Sequence, residues 1–475
     1  DVGTTICKGA LFDHRGAVVQ RCSIPLVIHS QNTGAQEIDP RLWSDALHQV
    51  CERIGMKHAI RSVVISGNGP TVTPVFEEPM VTDGLLYAEA AHARLWLDRR
   101  SVDEAREISR IAGYFVDASW VLPQVLHMSR HESWKYHRSR WFLSSYEYLN
   151  FLLTGEARTI VHADDALQWY WTEDILCQTA LDPDKFAPFC RPGDLVGTVT
   201  SLAADHLGLK KGIPVWAGGP DFLVSILGCG AVSPGLVCDR CGTSEGINVC
   251  TPLPIHDRRV LTYQHPVVPY YNVSGLISTT GKAISWVRSL LGLDHLSFVQ
   301  LYERAARVPP GAHDLVFLPY LNGERSPIWD PHARAVFSGL SLASNPDDLI
   351  RSVTEGICLA VKDVIQTMED LEVPIQSLRV TGGPSESDFL NQLKSDVTGK
   401  PVVTLQEREA ELVGSQIICR TALGDYDTYA DAAEDLVAFD RTFEPDQSLT
   451  QMYAQRFEQY RNIYQQLKGS WRSTP

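Results

Sequence analysis

The sequence predicts an α/β protein built of two similar halves, each a sheet with helices packed outside it. Three observations predict this class. Segments of helical periodicity alternate with short apolar strands, the pattern of layered sheets and helices. A strand running into a turn of small residues opens the chain at Asp1-Val2-Gly3-Thr4-Thr5, and the same shape recurs from Leu236 to Ser244. The 475 residues suffice for about three domains by length alone, well beyond the size that needs disulfides to hold a core.

The opening segment reads as the end of a strand entering a turn, so several residues upstream are expected to complete it. Residues 9–20 read as a hairpin, with Ala10-Leu11-Phe12 and Ala17-Val18-Val19 flanking Asp13-His14-Arg15-Gly16. Leu42, Ala46, Leu47 and Val50 recur at helical spacing and predict a helix over 41–55. Ile60 to Ile65 is a short buried strand that stops at Ser66-Gly67-Asn68-Gly69-Pro70. Helical patterns follow at 85–100, 120–130, 143–153 and 199–208, and then a strand from Ile213 to Ala217. The second half repeats the theme. The strand Leu236 to Asp239 leads into the turn Cys241-Gly242-Thr243-Ser244. A helix over 347–370, a strand from Ser377 to Thr381, the turn Gly382-Gly383-Pro384-Ser385 and a helix from Ser387 to Val397 follow. The boundary is placed near residue 228, giving domains 1–228 and 229–475. The tail from Gly469 is expected to fray.

Composition excludes several classes. Lys and Arg number 42 against 57 Asp and Glu, a net charge of −15, so there is no surplus of positive charge to neutralise nucleic acid. No apolar run reaches the roughly 18 residues of a membrane span. Eleven cysteines are scattered through the chain and no signal peptide is visible, which favours a reducing cytoplasm. Cys238 and Cys241 stand close together without histidines at zinc spacing and read as core or turn thiols. His127, His131 and His137 alternate with Arg130, Arg138 and Arg140 and read as a solvated helical face rather than a zinc site. No GxxxxGK[ST] loop exists, and neither Gly69-Pro70 nor Gly382-Gly383 makes a dinucleotide fingerprint. Ser66-Gly67-Asn68-Gly69 is not a GxSxG elbow.

The chemistry lies in the small-residue turns. Thr4 and Thr5 offer hydroxyls beside Gly3, and Lys8 follows in the next strand. Free N–H groups, two hydroxyls and a lysine make a cradle for phosphoryl oxygens. A plain β-turn with incidental threonines is the other reading. The second turn, Gly242-Thr243-Ser244, strengthens the first: one turn grips the transferring phosphoryl and the other the nucleotide phosphates. Asp1 suits Mg²⁺, which prefers oxygen ligands and keeps its waters. Asp221 follows the apolar strand in Trp216-Ala217-Gly218-Gly219-Pro220-Asp221, where ligands of α/β folds bind. It reads either as a helix-capping acid or as a general base that accepts a hydroxyl proton while oxygen attacks phosphorus. The helix N-terminus favours its ionised form, and it could also touch the metal.

Asp1-Val2-Gly3-Thr4-Thr5-x-x-Lys8 resembles the opening phosphate motif of the FGGY carbohydrate kinases. Gly219-x-Asp221 with Gly228-x-Gly230 and Gly235 resembles their catalytic-base segment, and Cys241-Gly242-Thr243-Ser244 their second phosphate motif. The run from Pro319 to Arg334, with Phe337-x-Gly339-Leu340, is similar to xylulokinases and gluconokinases. Thr381-Gly382-Gly383 with Ser387, Gln392, Asp396 and Gly399-Lys400-Pro401-Val402 is similar to the adenosine segment. The resemblance implies an actin-like, ribonuclease H-like fold, two domains flanking a deep cleft that holds ATP and Mg²⁺. It implies sugar-binding residues and the base in 1–228 and nucleotide-binding residues in 229–475. Asp221 would be the base, Asp1 and Asp221 would face the metal, and Thr4, Thr5 and Lys8 the γ-phosphate. Gly242 and Thr243 would hold nucleotide phosphates, and Gly382, Gly383 and Ser387 the adenosine. Glu324, Arg325 and Pro327 would stabilise the fold, with Arg325 holding a carboxylate by its rigid fork.

The chain departs from that pattern at Asn68-Gly69-Pro70-Thr71, where xylulokinases carry Gln-Met-His-Gly, and at Tyr87 to Ala91, in place of Trp-x-Asp-x-Arg. Gln124 follows Pro123 where lysine is common. Glu245 replaces a frequent glycine, and a carboxylate pointing into the turn would repel phosphate. Asn68, Thr71, Tyr87, Glu89 and Gln124 are the candidates for sugar contacts. Trp120, Trp169 and Trp171 could stack on a sugar, although core packing is the expected role. The implied activity is ATP-dependent phosphorylation of a sugar hydroxyl, with a ketopentose such as xylulose ranked first. Gluconate or another sugar acid or polyol comes next, and a weakly catalytic sugar-binding relative is the alternative. The implied partner is a small sugar or polyol, with no nucleic acid and no membrane; a homodimer is in keeping with the class.

Overall fold

The computed structural model describes residues 1–30, 34–163 and 170–471. Trp169 and the last four residues of the tail lie outside them. The chain divides into two compact units: residues 1–228 with 411–432, and residues 229–410 with 433–475. The helix Ala410–Ala422 therefore belongs with the first unit almost entirely, although it comes late in the sequence.

In the first unit the predicted hairpin forms as Ile6–Phe12 against Val18–Pro25. Asp13 closes it, accepting the N–H groups of Arg15 and Ala17 at 2.8 and 3.0 Å. Val2 bridges Cys7 on one side and, in parallel, Gly67 on the other. This sets the opening segment beside the strand Val63–Gly67, which begins three residues later than the sequence suggests. That strand runs parallel to Pro214–Pro220, from Val63 opposite Val215 to Gly67 opposite Pro220. Gly218 is required there, since a Cβ would stand 2.2 Å from the Ile65 carbonyl oxygen. Leu195–Thr198 completes the ladder in the antiparallel sense. The helix Pro40–Arg53 starts at Asp39, whose carboxylate accepts the Arg41 N–H, and buries Trp43 and Ala46 in the core. The helices Val121–His131, Ser145–Thr154 and Ser201–Leu207 fall where periodicity puts them.

The helix expected over 85–100 is absent. This stretch holds two short strands, Leu85–Tyr87 and Ala93–Arg94, with irregular backbone between. Its N–H and C=O groups pair across the chain: Ala91 N–H donates to Pro74 O, Phe76 N–H to Glu89 O, and Arg94 exchanges both bonds with Val72, all at 2.7–2.9 Å. Alanines favour a helix locally. Leu86 and Ala88, then Ala91, Ala93 and Leu95, are buried, however, with His92 exposed between two of them, so buried aliphatic residues recur at every second position as in a strand rather than at helical spacing.

The second unit is built on a seven-stranded sheet with Leu236–Cys241 at its centre. Leu236–Cys241 pairs antiparallel with Glu245–Thr251 and parallel with Ser377–Thr381, which in turn runs parallel to Val402–Leu405. A hairpin whose first strand adjoins a parallel pair is the first unit's arrangement again. The helix Pro346–Asp370, capped by Asn345, crosses the sheet and is buried along most of its length.

Candidate active site

In the first unit the strand ends converge. Asp1 lies at the start of the segment that flanks Val63–Gly67, and its Oδ1 accepts the Ser66 hydroxyl at 3.2 Å. Ser66 accepts in turn from the Ser415 hydroxyl at 3.1 Å. Lys8, in the following strand, has its Nζ 3.9 Å from Glu411 Oε2. Thr4 Oγ1 accepts the Trp96 indole N–H at 3.1 Å, and the Thr5 carbonyl accepts Leu26 N–H at 2.8 Å. Ser66, Trp96, Glu411 and Ser415 were not singled out from the sequence. Glu411 and Ser415 stand four apart on one helix face, a spacing that marks a face and names no partner.

Asp221 begins the helix Asp221–Gly228, directly beyond the Pro220–Gly67 pair, and is 9% exposed. Its own carbonyl accepts the Ser225 hydroxyl at 2.7 Å. Asn68 lies at the neighbouring strand end. Thr71 Oγ1 donates to Asn68 Oδ1 at 2.8 Å, which leaves the Asn68 amide nitrogen buried and without a partner among the described residues. A cavity of about 40 Å³ adjoins this corner, with Gly69, Trp120, Tyr146, Pro220 and Phe222 in its wall. Gln124, one turn beyond Trp120, is fully buried; its nitrogen donates to Ser119 O at 3.0 Å and its oxygen has no partner among the described residues.

The other expected sugar contacts are engaged elsewhere. The Tyr87 hydroxyl accepts Ala90 N–H at 2.9 Å, and its ring packs under Arg41. Glu89 is exposed and pairs with Arg138 at 2.6 Å. Trp171 sits in the core against Phe186 and Phe189, with ring centroids 4.6 and 4.7 Å away.

In the second unit, two turns meet at the carboxyl ends of the parallel strands Leu236–Cys241 and Ser377–Thr381. Gly242 N–H donates to Ser244 O at 3.0 Å, and the N–H groups of Thr280, Gly281 and Lys282 donate to the Gly242 and Thr243 carbonyls at 3.0–3.2 Å. Among the described residues, the Thr243 and Ser244 N–H groups meet no acceptor. Such free amides on a tight turn suit an anion. Gly382, at φ 86°, lies so close to the first turn that a Cβ would stand 2.1 Å from Cys241 O. Gly383 beside it faces open space. Ser387 caps the helix Asp388–Thr398, accepting Leu390 N–H at 3.2 Å.

Glu245 does not point at the turn's free amides. Its carboxyl is buried beneath the sheet, 2.6 Å from Lys394 Nζ. Burial, then the nearby Asp239 carboxylate, push it up to about 8. Glu324 also acts structurally. Its Oε1 accepts Ser278 and Arg325 N–H at 2.6 and 2.8 Å, and burial pushes it up to about 7. The Arg325 guanidinium reaches the Ile277 carbonyl at 3.4 Å. All eleven cysteines are free thiols, and Cys238 and Cys241 are buried. Among the described residues, no helix is long and apolar enough to cross a membrane.

Comparison with known proteins agrees with this layout. The profile of the N-terminal domain of the FGGY family of carbohydrate kinases matches residues 1–228, and that of its C-terminal domain matches residues 239–423. A xylulose kinase of Staphylococcus epidermidis is 28% identical over 98% of this chain and 96% of its own. A gluconokinase of Bacillus subtilis is 24% identical over 92% of this chain and 89% of its own. The crystal structure of xylulose kinase from Rhodospirillum rubrum superposes with a TM-score of 0.82 at 25% identity, covering 99% of this chain and 98% of that one. With both domain profiles matched in order and the two-unit α/β fold shared, the chain belongs to the FGGY family of carbohydrate kinases.

Proposed function

We propose that the protein transfers the γ-phosphoryl group of ATP to a hydroxyl of a small sugar, a ketopentose of the xylulose type, with Asp221 as general base. The observation that carries this reading is the position of Asp221 at the carboxyl end of Pro214–Pro220, at the first turn of a helix, next to the Asn68 corner. There it accepts the hydroxyl proton as the oxygen attacks phosphorus, a role of roughly 10²–10⁴-fold in rate. Asn68 and Gln124 each present one buried polar atom in want of a partner, which a sugar hydroxyl would supply. Thr71 orients Asn68. Tyr87 and Glu89 shape the surrounding segment through their own contacts.

The oxygen-only set of Asp1 and Asp221 fits a hard divalent cation, so these two carboxylates would hold Mg²⁺. When bound, the cation offsets negative charge on the phosphates. Ser66 and Ser415 hold the Asp1 carboxylate in place. Lys8, Thr4 and Thr5 would meet the γ-phosphate, Gly242 and Thr243 the remaining phosphates, and Gly382, Gly383 and Ser387 the adenosine. On this reading the chain is an actin-like kinase of the cytoplasm, with residues 1–228 serving the sugar and the later residues the nucleotide.

Gluconate is the second substrate class, supported by the gluconokinase likeness. Of the two grounds for a weakly catalytic role, Glu245 and the altered sugar pocket, the first is weakened, because the Glu245 carboxyl faces Lys394 rather than the turn. The test is sugar-dependent ADP release across pentuloses, hexonates and small polyols. Asp221→Asn is expected to lower turnover about 10²-fold or more. Turnover that survives this substitution would remove Asp221 from the chemistry.

A further inference from the structure

The turn Gly242-Thr243-Ser244 joins two strands whose inner face carries three buried polar side chains. Asp239 and Cys241 are two apart on one strand and share that face; Glu245 stands directly opposite Cys241 on the next. Their ligand atoms lie within 4.8 Å of one another, an arrangement that gathers around a cation. The cation is a side chain. Lys394, from the helix Asp388–Thr398, sends its Nζ into the group, where it bonds Asp239 Oδ2, donates to Glu245 Oε1 at 2.6 Å and meets Cys241 Sγ at 3.1 Å. All four residues are at most 4% exposed.

We propose that Lys394 is the positioning residue of this turn: by binding Asp239 before it and Glu245 after it, the ammonium sets the shape in which the free Thr243 and Ser244 amides receive a nucleotide phosphate. It also directs the Glu245 carboxyl to the face away from that phosphate. The same helix begins at Ser387, just past Gly382 and Gly383, so one rigid element carries both the turn's clamp and the edge of the second turn. The ammonium stays protonated, because the carboxylates and thiol around it outweigh the cost of burying it. This inference rests on the reading of the turn as a nucleotide-phosphate site.

The test compares the full-length chain with Lys394→Met and with the triple variant Asp239→Asn/Glu245→Gln/Lys394→Met. The triple leaves no unpaired buried charge and so retains the fold. Calorimetry with Mg-ADP as the probe is expected to show about tenfold or weaker binding in both, with the sugar KM within about twofold of the unmodified chain. A triple variant that binds ADP like the unmodified chain overturns the inference, as does a parallel loss of sugar affinity, which would mean general loosening. The kinase reading fails separately: an unmodified chain that binds no ADP and releases none in the presence of any sugar overturns both.

Discussion

Glu147 is a carboxyl group held in the core chiefly by backbone amides. One oxygen accepts Ser144 N–H at 2.8 Å and the other Ile160 N–H at 2.7 Å, closing a capping box and tying the helix Ser145–Thr154 to the next strand. Burial nonetheless pushes it up to about 7. Glu147→Ala should destabilise the protein by roughly 2–4 kcal/mol, two buried amides losing their acceptors at once. Urea unfolding checks this, and a change under 1 kcal/mol would refute it. Capping-box residues are legible in sequence because cap and acid stand three apart. Asp221 is legible too, as the acid that follows a strand and two glycines, although helix cap and base look alike at that level. Glu245 is not legible. Its partner Lys394 lies 149 residues away, and nothing local tells a buried ion pair from an acid facing a phosphate.

Among elements, the two glycines after Ser377–Thr381 separate fold from site. Gly382 combines φ 86° with a Cβ position 2.1 Å from Cys241 O, so Gly382→Ala must push the two turns apart. The expected cost is about 1–3 kcal/mol, visible as a lower Tm with or without nucleotide. Gly383 faces open space. Gly383→Ala should leave the Tm within about a degree and, on the proposed reading, raise the KM for ATP alone. A Gly383→Ala protein with native ATP affinity would remove this turn from the adenosine site. Amphipathic helices and the strands before each turn were readable because one face or one run of residues settles them. The stretch 85–100 has a helical look in sequence yet forms strands because its backbone partners, Val72 and Pro74, come from an earlier segment, and alanine's local preference is outweighed by those bonds.

Across the whole molecule, buried ionisable groups set how stability depends on pH. Glu147 and Glu324 rise from 4.5 to about 7, and Glu245 to about 8. The folded chain therefore keeps protons that the unfolded chain releases, and stability falls as pH climbs from about 4.5 through these values. His162 and His265 are driven the other way by burial, from 6.5 to about 3 and about 4. Their contribution grows as pH rises toward 6.5 and is constant above it. The two trends oppose below pH 6.5; between 6.5 and 8 the histidine contribution is constant while that of the glutamates still falls. The Tm should decline across that window, and Glu147→Gln should reduce the slope. A Tm that is flat or rising there in a buffer series would contradict the assignment.

The α/β class, the repeated strand-and-turn theme, the family and the small-residue turns are all legible without coordinates, because each is written in neighbouring residues through periodicity, glycine spacing and short motifs. Tertiary structure alone decided which polar groups meet. It brought Glu411 and Ser415 to the Lys8 and Asp1 corner, set Glu245 against Lys394, and committed Tyr87 and Glu89 to contacts of their own. The physical reason is that a buried charge or amide must find a partner within about 3 Å wherever the chain supplies one, and that distance has no counterpart along the sequence.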